Sequence, residues 1–412
     1  MKLPLAIVAV SAAIAAIDPT TAPPPDHPAI RYSEDTAGNR IARLAARLEK
    51  GTAKLAYDPD HGYLRDFLRQ LEVDPASQVL VFSKTSFQAV RISPRTPRAL
   101  YHNDDVAIGW VRGGDVIEIA AADPRVGVAF YTLDQEEVPR PRIERHGNAC
   151  VQCHLSSATL SVPGLMVRSV CPDRSGMALF PGPSYITDHR SPLDRRWGGW
   201  YVTGTHGPTK HMGNVFVEKG EPARTLDTAK GANITDLKGS FDTGAYLSPY
   251  SDLVSLMLLE HQTTMVNLIS RVNYEALAAP PGRKNAGADA IEELVRYMLF
   301  ADEAQLDAPL TGASTFASTF AKKGPRDRKG RSLRDLDLSR RILRYPCSYL
   351  IYSEQFDGLP AATRDRIYRR MWEVLTGRDR TAAFARLAEN DRRAVFEILS
   401  ETKHGLPAYW SR

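Results

Sequence analysis

Residues 106–120 read VAIGWVRGGDVIEIA, and their pattern determines the architecture of the N-terminal half. Two β-rich runs, Val106–Val111 and Val116–Ala120, are separated by Gly113-Gly114, a pair that is typical of a hairpin turn. Further β-rich runs lie on either side, at Val79–Phe82 and Val126–Leu133. The sequence therefore predicts a short antiparallel sheet within residues 78–135.

Apolar residues at helical spacing flank the predicted sheet. Before it, two groups indicate helices: Ile41, Leu44 and Leu48, and then Leu64, Phe67, Leu68 and Leu71. After residue 247 the chain is mostly helical, and we expect a long helix over 249–276 with Ser248 as N-cap and Pro249 in its first turn. Further helices are expected near 287–306, 333–356, 362–376, 380–387 and 390–402.

Composition bounds the class of protein. The 412 residues are 43% hydrophobic and 25% charged, which fits a globular chain and argues against a disordered or multi-span membrane protein. The 53 basic and 48 acidic residues are mixed along the sequence, so we expect no nucleic-acid partner. Four cysteines are too few for a disulfide scaffold.

The N-terminus has the pattern of an export signal. Met1-Lys2 is followed by residues 3–17, LPLAIVAVSAAIAAI, which carry no charge and include the A-x-A pattern Ala13-Ile14-Ala15. We predict a cleaved signal peptide over 1–17 and a flexible Pro-rich start over 18–30. The alternative is an uncleaved membrane anchor. No later segment is long and apolar enough to span a bilayer, so the mature chain is expected to be exported, to a bacterial periplasm, without a membrane span.

The strongest motif follows the predicted sheet. Cys150-Val151-Gln152-Cys153-His154 has the form C-x-x-C-H. Two thiols at this spacing can each add to a haem vinyl group, and the next histidine then reaches the iron as proximal ligand. We therefore predict one haem c, held by Cys150 and Cys153, with His154 on the iron. Since the motif occurs once, a multihaem wire is excluded and a two-haem peroxidase is disfavoured.

Two other uses of a C-x-x-C pair stay open but fit less well. A thioredoxin-type dithiol needs a βαβ context, whereas this pair follows the Pro-rich linker Val138–Arg142. A zinc site needs a second ligand pair at short spacing, which Cys171 and Cys347 do not provide. The sequence leaves open whether those two cysteines form a disulfide or are buried thiols.

The sixth iron ligand is harder to find. We take His206, His211 and His261 as the distal candidates, against the alternatives of loop histidines that bond a neighbour and of a helix-core histidine. Arg195, Arg196 and Trp197 are candidates for holding the haem propionates and packing the ring, against a plain surface charge. Further methionine and histidine candidates are Met166, His189, Met212, Met257 and Met265.

The motif resembles c-type cytochromes in general. A wider set of segments is similar to a family of exported bacterial proteins described only as cytochrome c domain-containing: Val162–Gly164, Arg168–Val170, Asp188–Pro192, Arg195–Gly207, His211–Asn214, Ser83–Phe87 and Tyr345–Leu350. That resemblance implies haem binding and redox activity, and it implies no particular substrate. Only the attachment residues Cys150, Cys153 and His154 carry a role across. The chain's length and the lack of a methionine loop at the usual distance depart from compact electron-transfer cytochromes.

The predicted fold class is α+β. It comprises a mixed N-terminal α/β region over 31–140, an irregular haem-attachment segment over 141–225 and a predominantly α-helical C-terminal region over 226–412. Two functions follow. One is an electron carrier that works with a redox partner protein or a small-molecule electron donor or acceptor. The other is a haem enzyme, peroxidase- or oxygenase-like, whose open distal site acts on a small molecule. The chain's length favours the enzyme, and the lack of a legible catalytic dyad favours the carrier.

Overall fold

The computed structural model describes residues 22–34, 38–222, 226–283 and 286–411, and it has the predicted α+β fold. The predicted signal peptide over 1–17 lies outside these residues. The Pro-rich start is described from residue 22, and Ile30 at its end is fully buried. The α-helices of the described part are α1 Arg40–Glu49, α2 Leu64–Gln70, α3 Asn148–His154, α4 Leu253–Leu277, α5 Ala288–Met298, α6 Phe316–Lys322, α7 Glu354–Asp357, α8 Ala361–Leu375 and α9 Glu389–Thr402.

A seven-stranded antiparallel sheet forms the N-terminal half, in the order β6-β5-β4-β3-β2-β1-β9. The strands of the described part are β1 Val79–Val81, β2 Arg98–His102, β3 Val106–Trp110, β4 Val116–Asp123, β5 Gly127–Asp134, β6 Ile143–His146, β7 Val167–Val170, β8 Ser184–Thr187, β9 Trp200–Tyr201, β10 Gly204–Thr205 and β11 Thr311–Gly312. β7 pairs with β8 and β10 with β11 in two small separate sheets.

The predicted hairpin joins β3 and β4. Val106 pairs with Ala121 and Gly109 with Glu118, and Gly113 takes a positive φ of 65° in the turn between the strands. Only glycine adopts that conformation without strain, which explains why the Gly-Gly pair marks the turn.

The sheet has a core on each face because side chains alternate along its strands. One face, including Ile117 and Ile119 of β4, packs on α1 and α2 through Leu44 and Phe67. The other face, including Phe130 of β5, packs on α4 and the helices behind it. Helix α4 is buried on all sides almost throughout from Leu253 to Tyr274, and its buried residues include polar and charged side chains such as Glu260 and Asn267.

Three helix predictions need correction. The N-cap of α4 is Asp252, whose Oδ1 accepts hydrogen bonds from the amides of Val254 and Ser255; it is not Ser248. The helix begins later than expected because the preceding backbone is tied elsewhere: the Thr203 amide donates to the Ser251 carbonyl.

Residues 333–348 form turns, and helix resumes only near Tyr349–Tyr352 and in α7, so the helix expected over 333–356 is wrong in its first two thirds. An isolated bridge between Leu336 and Leu343 folds this stretch back on itself, and Pro346 cannot lie inside a helix. The helix expected over 380–387 is a short 3₁₀ turn, Ala382–Phe384.

Within the described ranges, no helix combines the length and the hydropathy that crossing a lipid bilayer requires.

Candidate haem-attachment site

Helix α3 carries the C-x-x-C-H motif directly after the edge strand β6. Cys150 and Cys153 are three residues apart on this helix and therefore share one face. Cys150 is half-buried against the core between the sheet and α4, whereas Cys153 is exposed, and both are free thiols. Burial raises the pKa of Cys150, and the nearby charges of Glu118 and Cys153 add to that rise. Both thiols are thus presented on one side of a short helix.

His154 ends α3, and its ring is held from two sides. The ring centroid lies 4.6 Å from that of Phe130 on β5, and Nδ1 lies 3.0 Å from the Gly164 carbonyl oxygen. A carbonyl only accepts, so Nδ1 carries the proton in this bond and Nε2 keeps the lone pair of a neutral imidazole. Burial lowers the pKa of His154, which favours that neutral form. The side chain therefore has the tautomer that a metal ligand requires.

Asn267 of α4 positions the carbonyl that orients His154. Its Oδ1 accepts from the Leu165 amide at 3.0 Å and its Nδ2 donates to the Leu165 carbonyl at 2.7 Å. A Cβ atom at Gly164 would lie 2.2 Å from Asn267 Oδ1, so only glycine lets the loop approach α4 this closely. The Gly164 amide donates to the His154 carbonyl at 2.9 Å and closes the loop.

A carboxylate that the sequence analysis missed lies on the same side of the sheet. Glu118 of β4 accepts from Ser86 Oγ at 2.5 Å and from Gln88 Nε2 at 2.8 Å, and it forms an ion pair with Arg98 of β2. Two residues along β4, on the same face, Ala120 pairs with Phe130, whose ring contacts His154. The charge of Glu118 adds to the burial that raises the pKa of Cys150 and partly offsets the burial that lowers the pKa of His154. A polar residue inside the β-rich run VIEIA was the available signal.

Arg98 lies flat across the sheet to reach Glu118. A Cβ atom at Gly109 would lie 2.4 Å from the Arg98 guanidinium, so the glycine leaves room for it. Arg98 Nε is buried and has no hydrogen-bond partner among the described residues. A buried donor without an acceptor beside a C-x-x-C-H helix fits a site for a haem, whose propionates accept hydrogen bonds.

The predicted propionate partners each contact other groups in the protein. Arg196 is buried and donates to Glu260 Oε2 at 3.0 Å and to the backbone carbonyls of Ser191 and His189. Trp197 is fully buried next to it, and Arg195 is exposed with its guanidinium 5.6 Å from the ring centroid of Tyr185. The structure thus gives Arg196 a core ion pair, while the prediction that these three residues hold a haem stays a prediction.

The distal candidates His206 and His211 form one buried cluster. Their ring centroids lie 4.7 Å apart, and the His211 ring lies 5.2 Å from that of Trp197. His206 Nε2 accepts from the Asn233 amide at 2.9 Å, and His211 Nδ1 accepts from the Gly213 amide at 3.0 Å. Burial, with a smaller contribution from His206, lowers the pKa of His211 to about 3. One nitrogen of each ring therefore already accepts a hydrogen bond from a backbone amide.

His261 of α4 is fully buried with both ring nitrogens engaged. Nδ1 lies 2.8 Å from His189 Nδ1, and Nε2 lies 2.8 Å from Ser348 Oγ. Burial lowers its pKa to about 3, so the ring is neutral. The contacts of the described residues bring none of the three distal candidates to His154.

Cys171 and Cys347 are both buried, and burial raises the pKa of each thiol. Cys347 is a free thiol, so the structure does not contain the disulfide that the sequence left open. Among the described residues, the group of acids and histidines close enough to share a metal ion is Asp58, Asp60 and His61, which includes neither motif cysteine. The positions of these residues therefore give no support to a zinc site at the motif.

No protein-family model matches the chain, and neither the curated proteins nor the solved structures contain a match to it.

Proposed function

We propose that this chain is a monohaem c-type cytochrome that transfers electrons, with haem c bound through Cys150 and Cys153 and with His154 as proximal ligand. The observation that carries the proposal is the hydrogen bond from His154 Nδ1 to the Gly164 carbonyl, because it leaves Nε2 available to iron on the helix that presents both thiols. A histidine bonded in this way is the usual arrangement of a metal ligand and its outer partner.

A bound haem supplies one-electron chemistry, and the residues around the motif hold and tune it. The Gly164 carbonyl fixes the orientation of the His154 ring and makes Nε2 a stronger donor. Asn267 keeps that carbonyl in place from the core helix α4. The Arg98–Glu118 ion pair is a charged neighbour that would influence the reduction potential.

The test is expression with haem-maturation machinery, followed by extraction of non-covalent haem and a pyridine haemochrome spectrum. The wild-type chain should retain one covalent haem, and the Cys150→Ala, Cys153→Ala double variant should retain none. Cys347→Ala, which removes a buried thiol outside the motif, is the matched control and should keep the haem. Wild-type protein without covalent haem, or a double variant that retains it in full, would overturn the proposal.

One observation favours a second candidate function, a haem enzyme with an open distal position. His206 Nε2 and His211 Nδ1 each accept a backbone hydrogen bond, so in the neutral ring the other nitrogen carries the proton, and both nitrogens of His261 are engaged. In these bonds none of the three presents a free lone pair to iron, unlike His154. The two functions separate on carbon monoxide binding to the ferrous protein. Rapid binding would favour the enzyme, which would act on a small molecule, whereas no binding would favour a six-coordinate carrier.

If the iron is six-coordinate, His206→Ala, His211→Ala and His261→Ala can be compared by absorption spectrum. A lost or altered band in one variant would identify that histidine as the ligand. Unchanged spectra in all three would exclude these candidates.

We also propose that the chain is exported to the periplasm and belongs with the exported cytochrome c domain-containing proteins that it resembles. The support is the uncharged run over 3–17 together with the C-x-x-C-H motif, because c-type haem is attached outside the cytoplasm. N-terminal sequencing of protein purified from the periplasmic fraction tests this proposal. A chain that begins near residue 18 would support it, and a chain retained in the cytoplasm would contradict it.

A further inference from the structure

Exposed apolar side chains are concentrated in two neighbouring segments. Six large hydrophobic side chains are exposed in the described part of the chain, and five of them lie either in the loop after β1 or in the β7–β8 hairpin. These five, with their exposed fractions, are Phe87 70%, Val90 90%, Met177 52%, Phe180 96% and Ile186 44%. The sixth, Val138, lies after β5. We call the five residues the apolar tips.

The two segments pack against each other. The Lys84 amide donates to the Gly176 carbonyl at 3.0 Å. Gly176 has a φ of 86°, and a Cβ atom there would lie 2.3 Å from the Phe82 carbonyl oxygen, so the hairpin loop sits directly on the end of β1. The apolar tips of both segments therefore belong to one region of the surface.

Basic residues occur in the same two segments as the apolar tips. Residues 83–98 contain four basic residues and no acidic one, and residues 167–187 contain two basic residues and one acid. Lys84, Arg95 and Arg168 form no ion pair among the described residues. Of the nearby acids, Asp115 pairs with Arg91 and Glu218 with Arg174, whereas Asp173 accepts hydrogen bonds from the amides of Ser175 and Met177. The two segments thus combine the apolar tips with an excess of basic residues.

We propose that the apolar tips insert into an anionic lipid surface and dock the protein on a membrane. Exposed apolar side chains accompanied by lysine and arginine are the features that hold a protein at a bilayer interface. Lipid accepts single projecting side chains, whereas a protein partner of ordinary interface size must offer a complementary surface of about 800 Å². Phe87, Val90 and Phe180 are each exposed by 70% or more, which fits insertion into lipid.

Docking in this way would bring the haem motif close to the lipid. Ser86 and Gln88 flank Phe87 and both bond Glu118, whose charge reaches Cys150 and His154. The docking surface and the candidate site therefore share the loop over 84–92. The inference does not depend on the proposed function, because lipid binding is measured without reference to redox activity.

The test is co-sedimentation of the full purified protein with vesicles of phosphatidylcholine, alone or mixed with phosphatidylglycerol. We expect binding to the anionic vesicles that weakens as salt is added. The Phe87→Ser, Phe180→Ser double variant should lower the partition coefficient at least about tenfold, because it loses the two aromatic side chains that insert into the lipid. Val138→Ser, at the exposed apolar residue outside the region, is the matched control and should bind as the wild type does.

A circular dichroism spectrum and a haem absorption spectrum establish that the double variant is folded. Wild-type protein that binds neither kind of vesicle would overturn the proposal and would favour a protein partner for the apolar tips. Unchanged binding by the double variant would overturn it too. A double variant with an altered haem spectrum and unchanged vesicle binding would mean that the apolar tips cover the haem instead. Loss of haem from every variant, with vesicle binding intact, would contradict the proposed function alone.

Discussion

Two regions of this molecule hold histidines with different burial and different hydrogen-bond partners. His154 ends a short helix at the surface, with one ring nitrogen bonded to a carbonyl and the other left over. His261 on α4 and His189 packed against it are fully buried, with their Nδ1 atoms 2.8 Å apart and their rings stacked among Tyr297 and Phe300. Both nitrogens of His261 are engaged, whereas His189 Nε2 is buried without a hydrogen-bond partner among the described residues. The contrast shows that a histidine's role follows from which nitrogen is bonded and from what.

The His189–His261 pair is linked by a hydrogen bond to an ion pair that is also buried. Glu260 and Arg196 are 0% and 1% exposed, and Thr187 Oγ1 donates to the other carboxylate oxygen of Glu260 at 2.6 Å. Arg196 in turn donates to the His189 carbonyl. The two histidines therefore belong to a connected polar network inside an apolar core, whereas His154 depends on a single loop.

Among the variants that test this comparison, Glu260→Ala should cause the largest loss of stability. The change leaves the Arg196 guanidinium buried without its counter-charge, which should lower the free energy of unfolding by about 4 kcal/mol. Urea denaturation measures it, and Glu49→Ala on the exposed face of α1 is the control, expected to change stability by less than about 0.5 kcal/mol. A Glu260→Ala variant as stable as the wild type would mean that the network contributes little.

His261→Ala should lower the free energy of unfolding by about 3 kcal/mol, since it opens a cavity and removes the partners of His189 and Ser348. The iron spectrum should stay as in the wild type. His154→Ala should do the reverse: a loss of stability below about 1 kcal/mol, because the ring is only partly buried, with a changed spin state. Altered iron coordination in His261→Ala would break the contrast, because His261 would then be an iron ligand.

Acid should lower the free energy of unfolding because the buried histidines resist protonation. Burial lowers the pKa of His211 and of His261 to about 3, against about 6.5 in the unfolded chain. Because the unfolded state binds the protons first, their contribution is complete above pH 6.5 and is lost as the pH falls towards 3. The loss is about 1.4 kcal/mol per pH unit for each histidine.

Glu303 acts in the opposite sense. Burial raises its pKa to about 7, so its contribution is present at low pH and is lost as the pH rises through 7. Five buried histidines have lowered pKa values, and we expect them to dominate: His102, His189, His206, His211 and His261. Urea midpoints at pH 7, 6 and 5 test this, and a stability that does not fall across that series would contradict it.

Gly164→Ala should lower the free energy of unfolding by about 2 kcal/mol, because the new methyl group displaces the buried Asn267 side chain and strains its two hydrogen bonds to Leu165. Its functional effect should be larger, because the Gly164 carbonyl that orients His154 must shift. Reduction potential and Soret band measure that shift. Gly38→Ala, where nothing lies within 4 Å of the added Cβ, is the control. Identical potentials in both variants would mean that the carbonyl does not orient the ring.

The parts of this fold that sequence predicts are those set by local pattern. The β3–β4 hairpin follows from alternation and a glycine turn, and α1, α2, α8 and α9 follow from apolar spacing. Strand β2 was missed because Arg98–His102 mixes polar and apolar residues; it is a strand because Val79 and Trp110 pair with it from either side. The polar residues within β2 hide the alternation that marks its neighbours, so pairing on both sides decides the strand.

The same division applies to the candidate site. The C-x-x-C-H motif is local, so Cys150, Cys153 and His154 could be named from sequence. Asn267 bonds the backbone 102 residues before it, and no spacing rule links the two. Arg196 was read as a surface or propionate charge because Glu260, its partner in the core, lies 64 residues further on.

Strands β6 and β9 occupy the two outer positions of the main sheet, and both come from the segment over 141–225 that carries the motif. Unpaired edges expose backbone groups that recruit other chains. A transplant of this segment onto another scaffold would therefore strip the donor of both border strands, leaving β1 and β5 open to aggregation. For protein engineering, the segment over 141–225 cannot be moved as an independent module, so redesign must proceed within the whole molecule.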